Sequence, residues 1–257
     1  MMIDIQNQRD HRNISIDKVG IKNLKYPIKV LDKQKGIQST VATISMYVNL
    51  PHQCKGTHMS RFVQMLHQFK SKVSLESITN ILEDMKKILE AESSHIEIIF
   101  SYFIEKKSPV AGAKGFMDYA CSIIGSSDSN KNRDMILKVA VPISSVCPCS
   151  KEISDVGAHN QRGEVLVSTR FKKFIWIENI IDLVEKSASC DVYSVLKRED
   201  EKYVTEHAYN NPKFVEDIVR DVAKILIKDD NITWFSVSAE NFESIHNHSA
   251  YAYIEKK

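Results

Sequence analysis

Gln38–Leu50 reads QSTVATISMYVNL. In an extended chain Ala42, Ile44, Met46, Val48 and Leu50 fall on one side, and Thr43, Ser45, Tyr47 and Asn49 on the other. That two-residue period marks a strand with one buried face. Toward the C-terminus the period changes. Met59, Phe62, Val63, Leu66 and Phe69 recur at helical spacing, and so do Ile78, Ile81, Leu82, Met85 and Leu89. Ser74 stands as the N-cap of the second helix, with Ser77 too short to close a capping box. HIEIIFSYFIEKK (95–107) and GFMDYACSIIG (115–125) then read as two further strands. Toward the N-terminus the pattern fades: the first thirty or so residues read as irregular, with YPIKVLDKQKG (26–36) as a short edge segment.

The stretch SSDSNKNRD (126–134) is the polar, low-complexity connection near the midpoint. Beyond it the same order returns. DMILKVAVPI (134–143) and RGEVLVSTRFKKF (162–174) read as strands, IENIIDLVEKSAS (177–189) and PKFVEDIVRDVAKILI (212–227) as helices. ITWFSVSAENFES (232–244) and HNHSAYAYIEKK (246–257) close the chain as strands. The expectation is an α+β fold of two tandem strand–strand–helix–helix–strand–strand modules, 1–128 and 129–257. The halves share no residue pattern, only architecture. Four antiparallel strands with helices on one face leave open edges, which invites closure by copies of the same chain.

Over 257 residues, 43% apolar and 26% charged, the composition is that of a soluble globular protein. A net charge of +2 gives no broad field for a polyanion, so nucleic acid is not an expected partner. No apolar run is long enough to cross a bilayer, and the polar start MMIDIQNQRDHRN carries no signal-peptide core, so no membrane and a cytoplasmic location are expected. Five cysteines (Cys54, Cys121, Cys147, Cys149, Cys190) are too few and odd in number for a disulfide framework.

Two of those cysteines stand one residue apart, in SSVCPCSKEISDVGAHNQRGE (144–164). Buried, they would be two small hydrophobes. A closed structural zinc site would need a second ligand pair, and none follows. What remains is a mixed site of one thiolate with imidazole or carboxylate and an open position, the catalytic kind. The zinc-deaminase signature is absent. His159, twelve residues beyond Cys147 in a glycine-flanked segment, is the nearest imidazole; taken alone it is equally a surface-loop histidine. His246 and His248, read as two apart on a strand, would share a face with Ser244 and could bind metal or phosphate or move protons. Glu216 lies at the margin of an apolar helical stripe, four residues before Arg220, a spacing that also suits a surface ion pair. Glu201 sits in the charge run LKREDEKYVTEHAY, ordinarily a solvated face. Lys55, His58 and Arg61 surround a helix start, where cations and backbone N–H groups suit phosphate.

Taken together, SSVCPCSKEISDVGAHNQRGE, KGTHMSRF (55–62) and ENFESIHNHSAYAY (240–253) resemble the type IB GTP cyclohydrolases, over essentially the whole chain. The resemblance implies the bimodular tunnelling fold, a homotetramer of barrels with active sites at subunit interfaces, and conversion of GTP to 7,8-dihydroneopterin triphosphate with release of formate, the opening of folate biosynthesis. It implies Cys147 and His159 as ligands of a divalent metal, Zn2+ or Mn2+, with Glu201 as a carboxylate ligand. It further implies that Glu216 takes the guanine ring N–H and exocyclic amine. The chemistry suits these residue types. Water must add at carbon 8, and a bound divalent metal brings the pKa of water from about 15.7 towards 7. A ring nitrogen must then be protonated, a task for His246 or His248 with Glu243 nearby. Lys55, His58, Arg61, Lys151 and Arg162 are the candidates for the triphosphate. Two other readings stay open. One is a related purine- or pterin-binding enzyme with Cys147 or Cys149 as nucleophile. The other is a non-catalytic metal-binding or redox-sensing protein.

Overall fold

A computed structural model describes residues 6, 8–68, 72–130 and 132–256. By contact the chain falls into two compact units. The first takes the chain up to Phe100 with Ser122–Ile136, and the second takes Ser101–Cys121 with everything from Leu137 onward. Phe69 and Lys131, which belong to the helical stripe and to the polar connection read above, lie outside the described residues.

The first unit begins with a hairpin. Strand β1 (Ile16–Asp32) pairs antiparallel with β2 (Gly36–Leu50). The alternation expected for β2 holds: Ala42, Ile44, Met46 and Val48 are all fully buried. From Ile16 on, the stretch expected to be irregular is instead a seventeen-residue strand, which takes in the edge segment expected at 26–36 as far as Asp32. Its alternation is hidden because the register slips between Ile21 and Leu24, where Asn23 adopts a positive φ of 60°. Its lysines point outward along the sheet margin, as edge strands favour.

Helix α1 (Met59–Gln68), the two-residue strand β3 (Lys72–Val73) and helix α2 (Leu75–Ile88) follow, then strand β4 (Ser94–Lys107). Pairing runs β3–β1–β2–β4, with only the β1–β3 contact parallel. Phe62, Met65, Ile78, Leu82 and Met85 form the buried faces of the two helices, while Ile96 and Ile98 of β4 join the same core. The capping box that Ser77 was expected to miss is present. Ser74 N–H donates to Ser77 Oγ at 2.8 Å, and Ser77 N–H to Ser74 Oγ at 3.1 Å. A serine suffices because its hydroxyl folds back over one turn.

Strands β5 (Lys114–Ser127) and β6 (Arg133–Val146) carry residues of both units, as β4 does. In the second unit, β6 is followed by the short helix α3 (Pro148–Ile153), strand β7 (Asn160–Phe171), helix α4 (Ile177–Ser187) and the two-residue strand β8 (Cys190–Asp191). Helices α5 (Arg198–Asn210) and α6 (Val215–Leu226) and strands β9 (Ile232–Asn241) and β10 (Ala250–Lys256) complete it. Pairing is antiparallel in the order β6–β7–β9–β10, with β8 on β6. Val165, Val167, Val237 and Ala239 give the sheet a wholly buried inner face, against which α4 and α6 lay Ile181, Val184, Ile218 and Val222.

Two expectations are corrected here. The segment with His246 and His248 is the connection between β9 and β10, and the strand begins only at Ala250. Helix α5 was not expected, because its charge run masks a narrow inward face limited to Asp200, Val204 and Ala208.

Candidate active site

All of the site described next lies in the second unit. Strand β6 ends at Val146, and three segments fasten there. Val146 N–H donates to the buried Ser189 hydroxyl at 3.1 Å. Its carbonyl accepts from Lys213 N–H at 3.0 Å, and the next residue, Cys147, donates its N–H to the His159 carbonyl at 3.2 Å.

Cys147 is the N-cap of α3, with Pro148 in the first turn. Proline suits that position, since its fixed φ matches the helix and no N–H is missed. The turn separates the cysteines: Cys147 is partly buried and Cys149 is exposed. Ser150 binds the block together. Its N–H donates to Cys147 Sγ at 3.5 Å, its hydroxyl donates to Cys147 O at 3.1 Å, and the same hydroxyl accepts His159 N–H at 3.2 Å.

The His159 ring is oriented from behind. Its Nδ1 lies 3.0 Å from Gln161 Oε1, and Gln161 Nε2 donates to Ser145 Oγ at 2.8 Å. With the amide nitrogen on Ser145, Gln161 turns Oε1 to the ring as an acceptor for Nδ1–H, and in the neutral ring that leaves the lone pair on Nε2. A ligating histidine commonly has such a partner on its other nitrogen.

Glu201 lies in the first turn of α5, exposed. One turn further along, Val204 and then Ala208 pack against Val146, Ala158 and Cys190. Positions 201, 204 and 208 share a helical face, so Glu201 is on the side that meets the cysteine–histidine block. Among the described residues no three His, Cys, Asp or Glu side chains gather closely enough to hold a metal, so Glu201 is not joined to Cys147 and His159 as a closed triad. The thiol and the imidazole fit a divalent metal in kind and in tautomer.

Glu216 is in the first turn of α6, exposed. The Lys213–Val146 bond brings this helix start to the end of β6 that carries Cys147. The surface pair with Arg220 is not formed: Arg220 reaches Asp217 instead, at 3.9 Å. Phe242 N–H donates to Arg162 O at 2.9 Å, which sets the connection 242–249 beside the start of β7. There His246 Nε2 lies 3.6 Å from Glu243 Oε2, and the His246 and His248 rings stack with centroids 4.9 Å apart. Lys151 is turned toward α5, donating to Tyr209 O at 2.6 Å and lying 4.3 Å over its ring. Arg162 is exposed.

Lys55, His58 and Arg61 belong to the first unit. Lys55 Nζ donates to Gln8 Oε1 at 3.4 Å, and Arg61 Nη1 donates to Ile88 O at 3.1 Å, satisfying a carbonyl at the end of α2. Sequence reasoning did not single out Gln161, Ser150, Ser189 or Asn211. Gln161, two residues from His159, and Ser150, three residues after the helix-start Cys147, had spacings that put them beside site residues.

Paired strand–helix modules on antiparallel sheet define the tunnelling class of fold. Solved structures share it: urate oxidase from Bacillus sp. TB-90 matches with a TM-score of 0.55 at 6% identity, over 94% of this chain and 100% of that one. Urate oxidase from Bacillus subtilis 168 matches with a TM-score of 0.52 at 6% identity, over 93% and 98%. At such identity the likeness is one of fold. Within that class the chain belongs to the type I GTP cyclohydrolase FolE2 family, whose model matches residues 2–252. The GTP cyclohydrolase FolE2 of Desulfosudis oleivorans is 64% identical over 253 residues, 98% of this chain and 97% of the relative. That of Syntrophobacter fumaroxidans is 60% identical over 255 residues, 99% of each.

Proposed function

We propose that this GTP cyclohydrolase opens guanine at the end of β6, with Cys147 and His159 as one wall and Glu216 as the base anchor. The observation that carries the reading is the Lys213–Val146 bond of 3.0 Å, which ties the Glu216 helix to the strand that ends in Cys147. The reaction takes GTP to 7,8-dihydroneopterin triphosphate and formate, at the entry to folate biosynthesis.

In this reading Glu216 accepts from the guanine ring N–H and exocyclic amine, two adjacent donors that match the two oxygens of a carboxylate. Cys147, His159 and Glu201 would hold Zn2+ or Mn2+, and such a metal supplies the Lewis acidity that makes water a nucleophile near neutral pH. The Gln161–Ser145 relay keeps the lone pair of the neutral His159 ring on Nε2. Opening the ring after water addition needs a proton on the departing nitrogen. Glu243 and His246, 3.6 Å apart, form a carboxylate–imidazole pair suited to deliver it, with His248 stacked alongside. Arg162 and Lys151 would receive the triphosphate, Lys151 at the cost of its bond to Tyr209 O.

β10 has β9 as its one hydrogen-bonded neighbour among the described strands, and it exposes Tyr251 and Tyr253 at 64% and 53%. An open strand with exposed aromatics supports the homotetramer of closed barrels. Among the described residues no helix is long and apolar enough to cross a membrane.

The test is a metal-reconstituted assay with GTP, following formate and pterin fluorescence in the wild type, Cys147→Ala and Glu216→Ala. Turnover that requires added metal and is lost in both variants is expected. Metal binding without GTP consumption by the wild type would defeat the reading.

A further inference from the structure

One polar node outside the residues assigned so far joins three segments of the second unit. Asn211, in the link between α5 and α6, donates its side-chain amide to Ala188 O at 2.9 Å and to Ser189 O at 3.2 Å. Facing two carbonyl oxygens, the near edge of that amide has to be its nitrogen. Ser189 is fully buried, and its hydroxyl takes Val146 N–H at 3.1 Å. Val146 O takes Lys213 N–H at 3.0 Å, and Lys213 is two residues from Asn211, so the bonds close a ring. Cys147 is the next residue after one member of that ring. Glu216 stands three residues after another.

The backbone does not explain the asparagine. Asn211 has φ −126°, outside the left-handed region that itself favours Asn. Its amide does the fastening. We propose that Asn211 is a positioning residue for base recognition: it sets where Glu216 stands relative to the Cys147–His159 block, and so sets the preference for guanine over hypoxanthine. This rests on Glu216 as the guanine anchor.

The physical reason is geometric. A carboxylate distinguishes guanine only when it meets the ring N–H and the exocyclic amine together. Hypoxanthine offers the ring N–H alone. A shift of about 1 Å is enough to lose alignment in an ordered site. Such a shift leaves the shared ring contact and forfeits the second bond, so discrimination falls more than binding does.

The probes are 7-deazaguanosine triphosphate and 7-deazainosine triphosphate, which keep these recognition edges but lack the nitrogen needed for ring opening. Their dissociation constants are measured by calorimetry on the metal-loaded enzyme. One charge-assisted hydrogen bond corresponds to a preference of about 10- to 100-fold for the guanine analogue in the wild type. Asn211→Ala is expected to cut that ratio about tenfold, and to change it no further in a Glu216→Gln background. If Asn211→Ala weakens both analogues equally and leaves the ratio intact, the residue is merely structural and the proposal is overturned. If Glu216→Gln retains the wild-type ratio, the anchor reading itself fails and takes the proposal with it. Should Asn211→Ala not fold, Ser189→Ala opens the ring from its other side. It is expected to lower the ratio likewise, and a wild-type ratio there overturns the proposal.

Discussion

His159 Nδ1 lies 3.0 Å from Gln161 Oε1, two residues along the chain, and the Gln161 amide is in turn held by Ser145 at 2.8 Å. In the neutral ring this relay leaves Nε2 as the free nitrogen. Gln161→Leu removes the acceptor from Nδ1 and leaves Ser145 without its donor. Loss of such a partner lowers metal affinity by about 10- to 100-fold. Gln161→Glu keeps the acceptor and should retain most of it. Competition with a chelator measures both. Equal affinity for Gln161→Leu and wild type would mean that the ring needs no support from behind.

Asp200 is fully buried at the start of α5. Oδ1 accepts Val110 N–H at 2.8 Å and Ala111 N–H at 2.9 Å, and Oδ2 accepts Lys197 N–H at 2.9 Å. Burial alone would raise its pKa, but those three N–H donors and the Ser108 hydroxyl outweigh it and bring the carboxyl down to about 2. A depressed folded-state pKa gives stability that is present above the unfolded carboxylate value of about 3.9 and is lost as pH falls through the folded one. Asp200→Asn should therefore be less stable than wild type at pH 5, with the gap in Tm closing between about pH 4 and pH 2. A gap independent of pH would show that the charge is not what holds the helix start.

Much of this was readable beforehand because burial imposed a period. The β2 alternation and the α2 and α6 stripes survive in the structure because each element lays one face on a hydrophobic core. Where burial is thin, the signal was too. β1 has its inward face broken by the slip at Asn23. α5 offers only Val204 and Ala208 as inward apolar residues, although its acidic first turn (Glu199, Asp200, Glu201) is a helix-start mark that favours the dipole. In the site, Cys147 and His159 stood out by residue type. The groups that orient them did not: Gln161 is a local neighbour of His159 but is held by the distant Ser145, and Ser189 and Asn211 act only through contacts between distant segments.

The Ser74–Ser77 box in the first unit gives a stability prediction free of the active site. Ser74→Ala removes the acceptor for Ser77 N–H and should cost about 1 kcal/mol. Ser77→Ala removes the return bond to Ser74 N–H, formed at 2.8 Å. Since each hydroxyl serves the other residue, the double variant should lose less than the sum of the two. Denaturant midpoints of the four proteins decide it, and strict additivity would show that the bonds act independently.

Gly163 sits in β7 opposite Asn241, and an added Cβ would lie 2.4 Å from Asn241 Oδ1 and 2.7 Å from Glu240 O. The carbonyl is backbone of the neighbouring strand and has little room to yield. Gly163→Ala must push β9 away from β7 at the point where Phe242 N–H meets Arg162 O at 2.9 Å. Overpacking of this kind costs about 1–3 kcal/mol, a few degrees in Tm for a chain of this length. The connection carrying Glu243, His246 and His248 starts at that bond, so GTP turnover should fall further than stability does. Measured at a temperature where the variant is fully folded, kcat should drop about tenfold or more, within the range general acid–base groups supply. A variant with lowered Tm and wild-type kcat would show that the 242–249 segment holds its place without the β7–β9 register.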